Sequence, residues 1–276
     1  MKFATVRGPQ GKPLAVFFEE GEWRSLEDAS GRPYSHLGEF LNDGGALRFG
    51  HIEIAESDAR YLAPIPRPPK IVAIGLNYRD HAAEQKKEAP DKPMLFSKAS
   101  NIVIGPDDPV KIPSTAGQID FECELAIIIG KAGFDIAEDR WQDHVFGYTI
   151  LNDVTSREAQ YADKQFYRGK SFHTFCPMGP VVVTPEEFDW RSRQLGCDLN
   201  GKTMQDGTTE NMCFGPPHLV PYISSVHPLE PGDVIATGTP AGVLMFRPEK
   251  RFLQAGDVTE AWIDGIGILR NRFEAR

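Results

Sequence analysis

The run Ile119-Asp120-Phe121-Glu122-Cys123-Glu124-Leu125 continues without a break into Ala126-Ile127-Ile128-Ile129. Its apolar, β-branched character predicts a strand, in which alternate side chains share a face. Glu122 and Glu124 therefore point the same way, from a segment too apolar for a solvated edge. Two carboxylates ~4 Å apart at an effective dielectric of about 20 repel by ~4 kcal/mol, so the arrangement calls for a compensating cation. Asp153, at the end of a second apolar run from Phe146 to Asn152, supplies the third ligand. An all-oxygen set suits a hard ion, Mg²⁺ or Mn²⁺, whereas zinc or copper would recruit His or Cys. Cys123 alternates to the opposite face and reads as apolar packing.

Turn signals divide the chain. The first sixty or so residues alternate short apolar runs with Gly8-Pro9-Gln10-Gly11 and Gly31-Arg32-Pro33. They predict a small β-rich N-terminal domain (residues 1–66) with a helix around His36 to Leu41. Four prolines between Ala63 and Pro69 force an extended connection, and residues 70–276 form the main domain. That domain opens on the buried-strand pattern Ile71–Leu76 and continues in short β-rich runs. Asn200-Gly201 and Asp264-Gly265 are two-residue hairpin signals. Helical stretches are fewer: Asp80 to Lys87, Ala137 to Asp143, Ser156 to Gln165 and His218 to Ser225. The fold class is α+β, predominantly β.

With 276 residues and 41% hydrophobic content, the chain can bury a substantial core. A net charge of −9 argues against nucleic-acid or membrane-surface partners. No apolar stretch has the length of a membrane span or a secretory signal, so the chain reads as soluble and cytoplasmic. The cysteines at 123, 176, 197 and 213 show no metal or redox spacing and are taken as reduced.

After the first main-domain strand, Tyr78-Arg79-Asp80-His81-Ala82-Ala83-Glu84 places His81 and Glu84 three apart on a short helix. They could form a general base with its orienting carboxylate, or merely a surface ion pair. The charged, proline-broken segment Gln85 to Pro93 reads as a loop able to close over a substrate. Lys170, beside Gly169 and followed by Ser171-Phe172, is the cation best placed to meet charge developing in a reaction. Thr237-Gly238-Thr239-Pro240 is a turn able to present hydroxyls and backbone N–H groups.

Taken jointly, these segments resemble the fumarylacetoacetate hydrolase family, in its bacterial acylpyruvase and 2-hydroxyhepta-2,4-diene-1,7-dioate isomerase-like branch. The resemblance is carried by Gly75-Leu76-Asn77-Tyr78 with His81 and Glu84, Asp120–Leu125, Asn152-Asp153-Val154 with Arg157, and Gly169-Lys170-Ser171-Phe172. It continues through Asn200-Gly201 with Gln205-Asp206-Gly207, then Thr237–Pro240, then Gly265–Asn271. It implies a rolled β-sheet main domain and a homodimer. It also implies Mg²⁺ or Mn²⁺ on Glu122, Glu124 and Asp153, a His81–Glu84 dyad that activates water, and Lys170 beside the substrate. Tyr78, Arg157, Gln160 and Thr239 match positions that contact substrate. His173 and Glu158 depart from the family pattern beside site positions without replacing one.

The implied reaction is hydrolysis of the carbon–carbon bond of a 2,4-dioxo acid such as an acylpyruvate, through a metal-stabilised enolate. Oxaloacetate decarboxylation, 2-oxo-acid isomerisation, hydration and sugar-acid dioxo hydrolysis use the same machinery. A non-enzymatic metal-stabilised binder of small acids is the remaining alternative.

Overall fold

The computed structural model describes residues 1–276. Its backbone is organised by the strand Cys123–Ile129, every residue of which is buried. Val145–Asn152 lies antiparallel on one side, with Cys123 opposite Asn152 and Glu124 opposite Leu151. Val234–Ala236 lies antiparallel on the other, and pairs in turn with the parallel strand Ile71–Gly75. These strands sit in a 12-stranded sheet that runs, edge to edge, through Phe49–Ala55, Glu22–Leu26, Pro13–Glu19, Lys2–Arg7, Cys176–Val183, Val145–Asn152, Cys123–Ile129, Val234–Ala236, Ile71–Gly75 and Met94–Lys98. Short strands at Tyr61–Leu62 and Val103–Ile104 attach to Lys2–Arg7 and Cys176–Val183. The fold is the predominantly β, α+β arrangement expected.

The N-terminal strands thus extend the main sheet, since Lys2 and Phe3 pair with Val183 and Val182. A second sheet of five strands, in the order Lys202–Thr208, Gln194–Leu199, Val258–Ile263, Gly267–Ala275, Val110–Ile112, packs on the central strands of the first. Cys123 and Leu125 face that inter-sheet core, both with 0% exposure. Glu122 and Glu124 face the other way, as alternation requires.

Both hairpin signals form hairpins. Asn200 (φ 52°) and Gly201 (φ 78°) sit in the left-handed region, as a primed turn demands. Around Asp264-Gly265 the turn is one residue longer than the sequence suggests, because Ile263 pairs with Gly267. Helices appear at Leu37–Asn42, Arg79–Glu84, Arg157–Asp163 and Pro216–Ser224, with an additional single turn at Tyr167–Lys170. His36 and Ser156 cap the first and third by accepting from Glu39 and Ala159 N–H. The stretch Ala137 to Asp143 contributes only a 3₁₀ turn at Trp141–His144. The buried Ile136 and Trp141 are five residues apart, a spacing that gives an α-helix no common apolar face.

Candidate active site

The site is built on the polar face of the chain just before Cys123–Ile129. The Glu122 carbonyl accepts from Asp153 N–H at 2.8 Å, and its own N–H donates to Asn152 Oδ1 at 3.1 Å. This locks Asp153 beside the two glutamates. One carboxylate oxygen from each of Glu122, Glu124 and Asp153 lies within 4.8 Å of the others, and all three residues are buried.

Their partners differ. Lys170 Nζ bridges Glu122 Oε2 and Asp153 Oδ2, 2.6 Å from each. Arg157 Nη1 lies 2.7 Å from Glu122 Oε1, while its Nε donates to Asp120 Oδ2 at 2.9 Å. Lys98 Nζ holds the remaining Asp153 oxygen at 2.5 Å. Burial alone would raise the Glu122 carboxyl, yet the charges of Lys170 and Arg157 prevail and hold it down at about 2. Burial lowers the Lys170 ammonium, but Asp153 and Glu122 outweigh it and leave it raised. Glu124 forms no ion pair, and the charge of Lys170 offsets its acidic neighbours only in part. It accepts one N–H, from Gly238 at 2.8 Å, and burial together with Asp153 and Glu122 pushes its carboxyl well above the usual range.

Four buried carboxylates, at 120, 122, 124 and 153, therefore share the site with three buried cations, Lys98, Arg157 and Lys170. The excess negative charge falls at Glu124, next to two other oxygen donors. A buried carboxylate without a counter-charge is costly, and an all-oxygen donor set of this kind suits a hard divalent ion. The residues fit a metal.

Beside them stands the dyad. His81 Nδ1 is 2.6 Å from Glu84 Oε1, and the other Glu84 oxygen accepts from Gly242 N–H at 3.0 Å. Gln85 Nε2 lies 2.8 Å from His81 Nε2, and Lys87 Nζ donates to Gln85 Oε1 at 3.1 Å. That pattern makes the Gln85 amide the donor, so His81 Nε2 accepts and the ring proton sits on Nδ1 facing Glu84. The Phe246 ring packs edge-on against the imidazole, 6.0 Å between centroids. Glu84 thus holds the imidazole from behind.

One cavity collects His81, Glu122, Glu124, Arg157, Gln160, Lys170 and Thr239. Its other walls are largely apolar, among them Ile74, Leu76, Met94, Phe96, Phe166 and Phe246. Gln160 accepts from Arg157 Nη1 at 3.1 Å, which leaves its amide N–H groups to offer a ligand. Thr239 Oγ1 donates to Cys123 O and accepts from Gln205 Nε2, each at 2.8 Å. Its hydroxyl proton is already committed, so Thr239 can present only a lone pair or its backbone. His173 and Glu158 are exposed and line no part of the cavity.

Tyr78, expected to contact substrate, is placed elsewhere: it is 0% exposed and absent from the cavity wall. Leu76 faces the cavity as Ile74 does, but its left-handed backbone (φ 55°) ends the strand alternation there, and Tyr78 packs into the core. Three polar residues carry more of the site than the sequence reading assigned them. Asp120 accepts from Leu244 and Met245 N–H at 2.9 and 3.0 Å. Gln205 accepts from Cys123 N–H at 2.9 Å and ties the five-stranded sheet to Thr239. Lys98 shares a strand face with Met94 and Phe96, a signal legible from alternation.

Residues 70–274 match the model of the fumarylacetoacetate (FAA) hydrolase C-terminal domain. The chain belongs to the fumarylacetoacetate hydrolase family. Among its relatives, the mitochondrial oxaloacetate tautomerase fahd2 of Xenopus laevis is 42% identical over 221 residues, covering 79% of this chain and 69% of that protein. The oxaloacetate tautomerase YisK of Bacillus subtilis is 41% identical over 255 residues, covering 91% and 81%. The crystal structure of a 2-hydroxyhepta-2,4-diene-1,7-dioate isomerase from Mycobacterium marinum superposes with a TM-score of 0.82 at 32% identity, covering 100% of this chain and 99% of that one. A putative HpcE protein from Mycobacterium smegmatis gives 0.89 at 31%, with the same coverage. Relatives of this chain are thus named tautomerases and isomerases, and no helix of the chain is long and apolar enough to cross a membrane.

Proposed function

We propose that this chain relocates a proton in a small 2-oxo acid, interconverting keto and enol forms or shifting a double bond, with Mg²⁺ or Mn²⁺ on Glu122, Glu124 and Asp153. The observation that carries this reading is the meeting, in one largely apolar cavity, of an acceptor nitrogen on His81 with a cationic pair and an uncompensated carboxylate. A divalent ion, when bound, supplies Lewis-acid polarisation of the acid's carboxylate and 2-oxo oxygens.

The protein's own residues do the rest. His81 Nε2 takes the proton from C3 as that C–H bond breaks, and its electron pair passes into the enolate. Gln85 must give up its hydrogen bond for this to happen. Glu84, clamped by Gly242 N–H, holds the ring and stabilises the imidazolium. Lys170 and Arg157 bring positive charge to the enolate oxygen and carboxylate. The proton then returns from Nε2 to oxygen or to another carbon, and the apolar walls keep water from competing for it. The names of the tautomerase and isomerase relatives support this choice.

Hydrolysis of a 2,4-dioxo acid is the second reading, favoured by the same dyad: a water would lose its proton to His81 Nε2 and attack C4. Oxaloacetate decarboxylation gives the dyad nothing to do. Enol oxaloacetate and an acylpyruvate, each with Mn²⁺, separate the readings. Ketonisation, followed by loss of the enol absorbance, should be accelerated, and His81→Ala should slow it by ~10²–10⁴-fold. Faster cleavage of the acylpyruvate than ketonisation of oxaloacetate, or an unaltered rate in His81→Ala, would overturn the tautomerase reading.

A further inference from the structure

Lys98 ends the strand Met94–Lys98 and is the one cation of the site that does not line the cavity. Its side chain has no exposure, yet all three donors of its ammonium are used. They go to Asp153 Oδ1 at 2.5 Å, to the carbonyl of Lys170 at 2.5 Å and to the carbonyl of Phe175 at 3.0 Å. The next residue repeats the attachment, since Ala99 N–H donates to Ser171 Oγ at 3.0 Å. The turn that carries Lys170 is therefore fastened twice to the end of this strand.

Asp153 is divided between two lysines: Oδ1 goes to Lys98 and Oδ2 to Lys170. A carboxylate held at both oxygens cannot rotate. Buried ion pairs are a poor source of stability, because desolvating both charges offsets their attraction. What such a pair does provide is a fixed arrangement of the groups it joins.

We propose that Lys98 is a positioning residue that commits Oδ1 of Asp153, leaving one oxygen of that carboxylate to face Glu122 and Glu124, and that fixes the main chain from which Lys170 reaches the site. Its effect on turnover rests on the function proposed above, whereas its effect on the carboxylate cluster does not. Without Lys98, Asp153 can turn both oxygens to a divalent ion and the site gains net negative charge. The ion then binds more tightly, while Lys170 loses its register and turnover slows. A purely structural lysine would give the opposite sign, with a loosened cluster and weaker ion binding.

The test uses Lys98→Met and Lys98→Gln in the full chain, the second keeping an amide donor for one of the carbonyls. Calorimetric titration with Mn²⁺, in the absence of substrate, should show affinity about tenfold tighter than wild type. With enol oxaloacetate, kcat should fall by ~10²-fold with KM within a few-fold, and the same change made on top of Lys170→Met should cost no more than about threefold. Mn²⁺ affinity that is unchanged or weaker, or an equal loss of kcat in both backgrounds, overturns the proposal. Failure of both variants to fold does so too, since it makes the lysine structural. A wild-type protein that binds Mn²⁺ but leaves oxaloacetate untouched sinks the proposed reaction, and the Mn²⁺ comparison still decides Lys98.

Discussion

Glu124 and Glu122 lie two residues apart on one face, yet their carboxyls are driven in opposite directions. The depressed group, Glu122, contributes stability that is present above the ordinary carboxyl pKa and is lost as pH falls towards about 2. For the raised group the sign reverses. Glu124 contributes stability below its ordinary value that is lost as pH climbs through the raised one, so the metal-free protein is penalised at neutral and alkaline pH. Glu124→Gln mimics the neutral form. In chelator, it should be more stable than wild type by roughly 1–3 kcal/mol at about pH 8, with the gap closing towards about pH 5. It should also forfeit the stabilisation that Mn²⁺ gives wild type. Denaturant melts at the two pH values check this, and a variant less stable than wild type at the higher pH would refute the assignment. The two glutamates were legible because a period of two, applied to an apolar run, decides which side chains meet, and Asp153 because it ends the second apolar run, which pairs beside the first. Tyr78 departs from that period because one left-handed residue, Leu76, resets it, and nothing in the type of a leucine announces a positive φ.

At the scale of elements, the segment from Thr237 to Phe246 joins the site together. Gly238 N–H holds Glu124, Gly242 N–H holds Glu84, and Leu244 and Met245 N–H hold Asp120, while Phe246 packs on His81. The sequence shows a Gly/Thr turn here, and an ordinary tight turn looks the same; what distinguishes this one is where its N–H groups go, which depends on partners 114 to 158 residues away in the chain. Asp120 is its anchor, fully buried and paired to Arg157 through Nε and Nη2, both at 2.9 Å. Asp120→Ala removes one of the two carboxylates that hold the guanidinium and leaves the loop's N–H groups without their acceptor, and should destabilise the protein by about 3–5 kcal/mol. Asp120→Asn keeps one acceptor and should lose less stability, while still weakening the hold on Arg157. Urea midpoints for the pair test this ordering, and equal midpoints would show that the loop is held by other contacts.

For the whole molecule, the question is whether the polyproline-like stretch Ala63–Pro69 separates two bodies. The family model begins at residue 70, just where those prolines end. The hydrogen bonds nevertheless cross the boundary. Phe3 pairs with Val182 and its ring lies 4.9 Å from Phe146, and Thr5 Oγ1 donates to the carbonyl of Pro64 at 2.8 Å. A sequence read for turns and composition locates the prolines but not the pairing of strand Lys2–Arg7 with Cys176–Val183, because that register is set by residues about 180 positions apart. Deleting residues 1–66 would uncover the Val182–Val183 end of that strand, leaving its backbone groups unpaired beside the uncovered ring of Phe146. Such an edge templates pairing with other chains. The remaining 70–276 fragment should therefore be recovered largely as aggregate, or as a soluble species that binds a hydrophobic dye and unfolds without a cooperative transition. The carboxylates of Glu122, Glu124 and Asp153 all lie outside the deleted segment, so loss of Mn²⁺ binding would follow from loss of folding alone. Soluble expression of 70–276 with a cooperative melt near that of the full chain would show instead that the N-terminal segment is an independent domain that merely borders the main sheet.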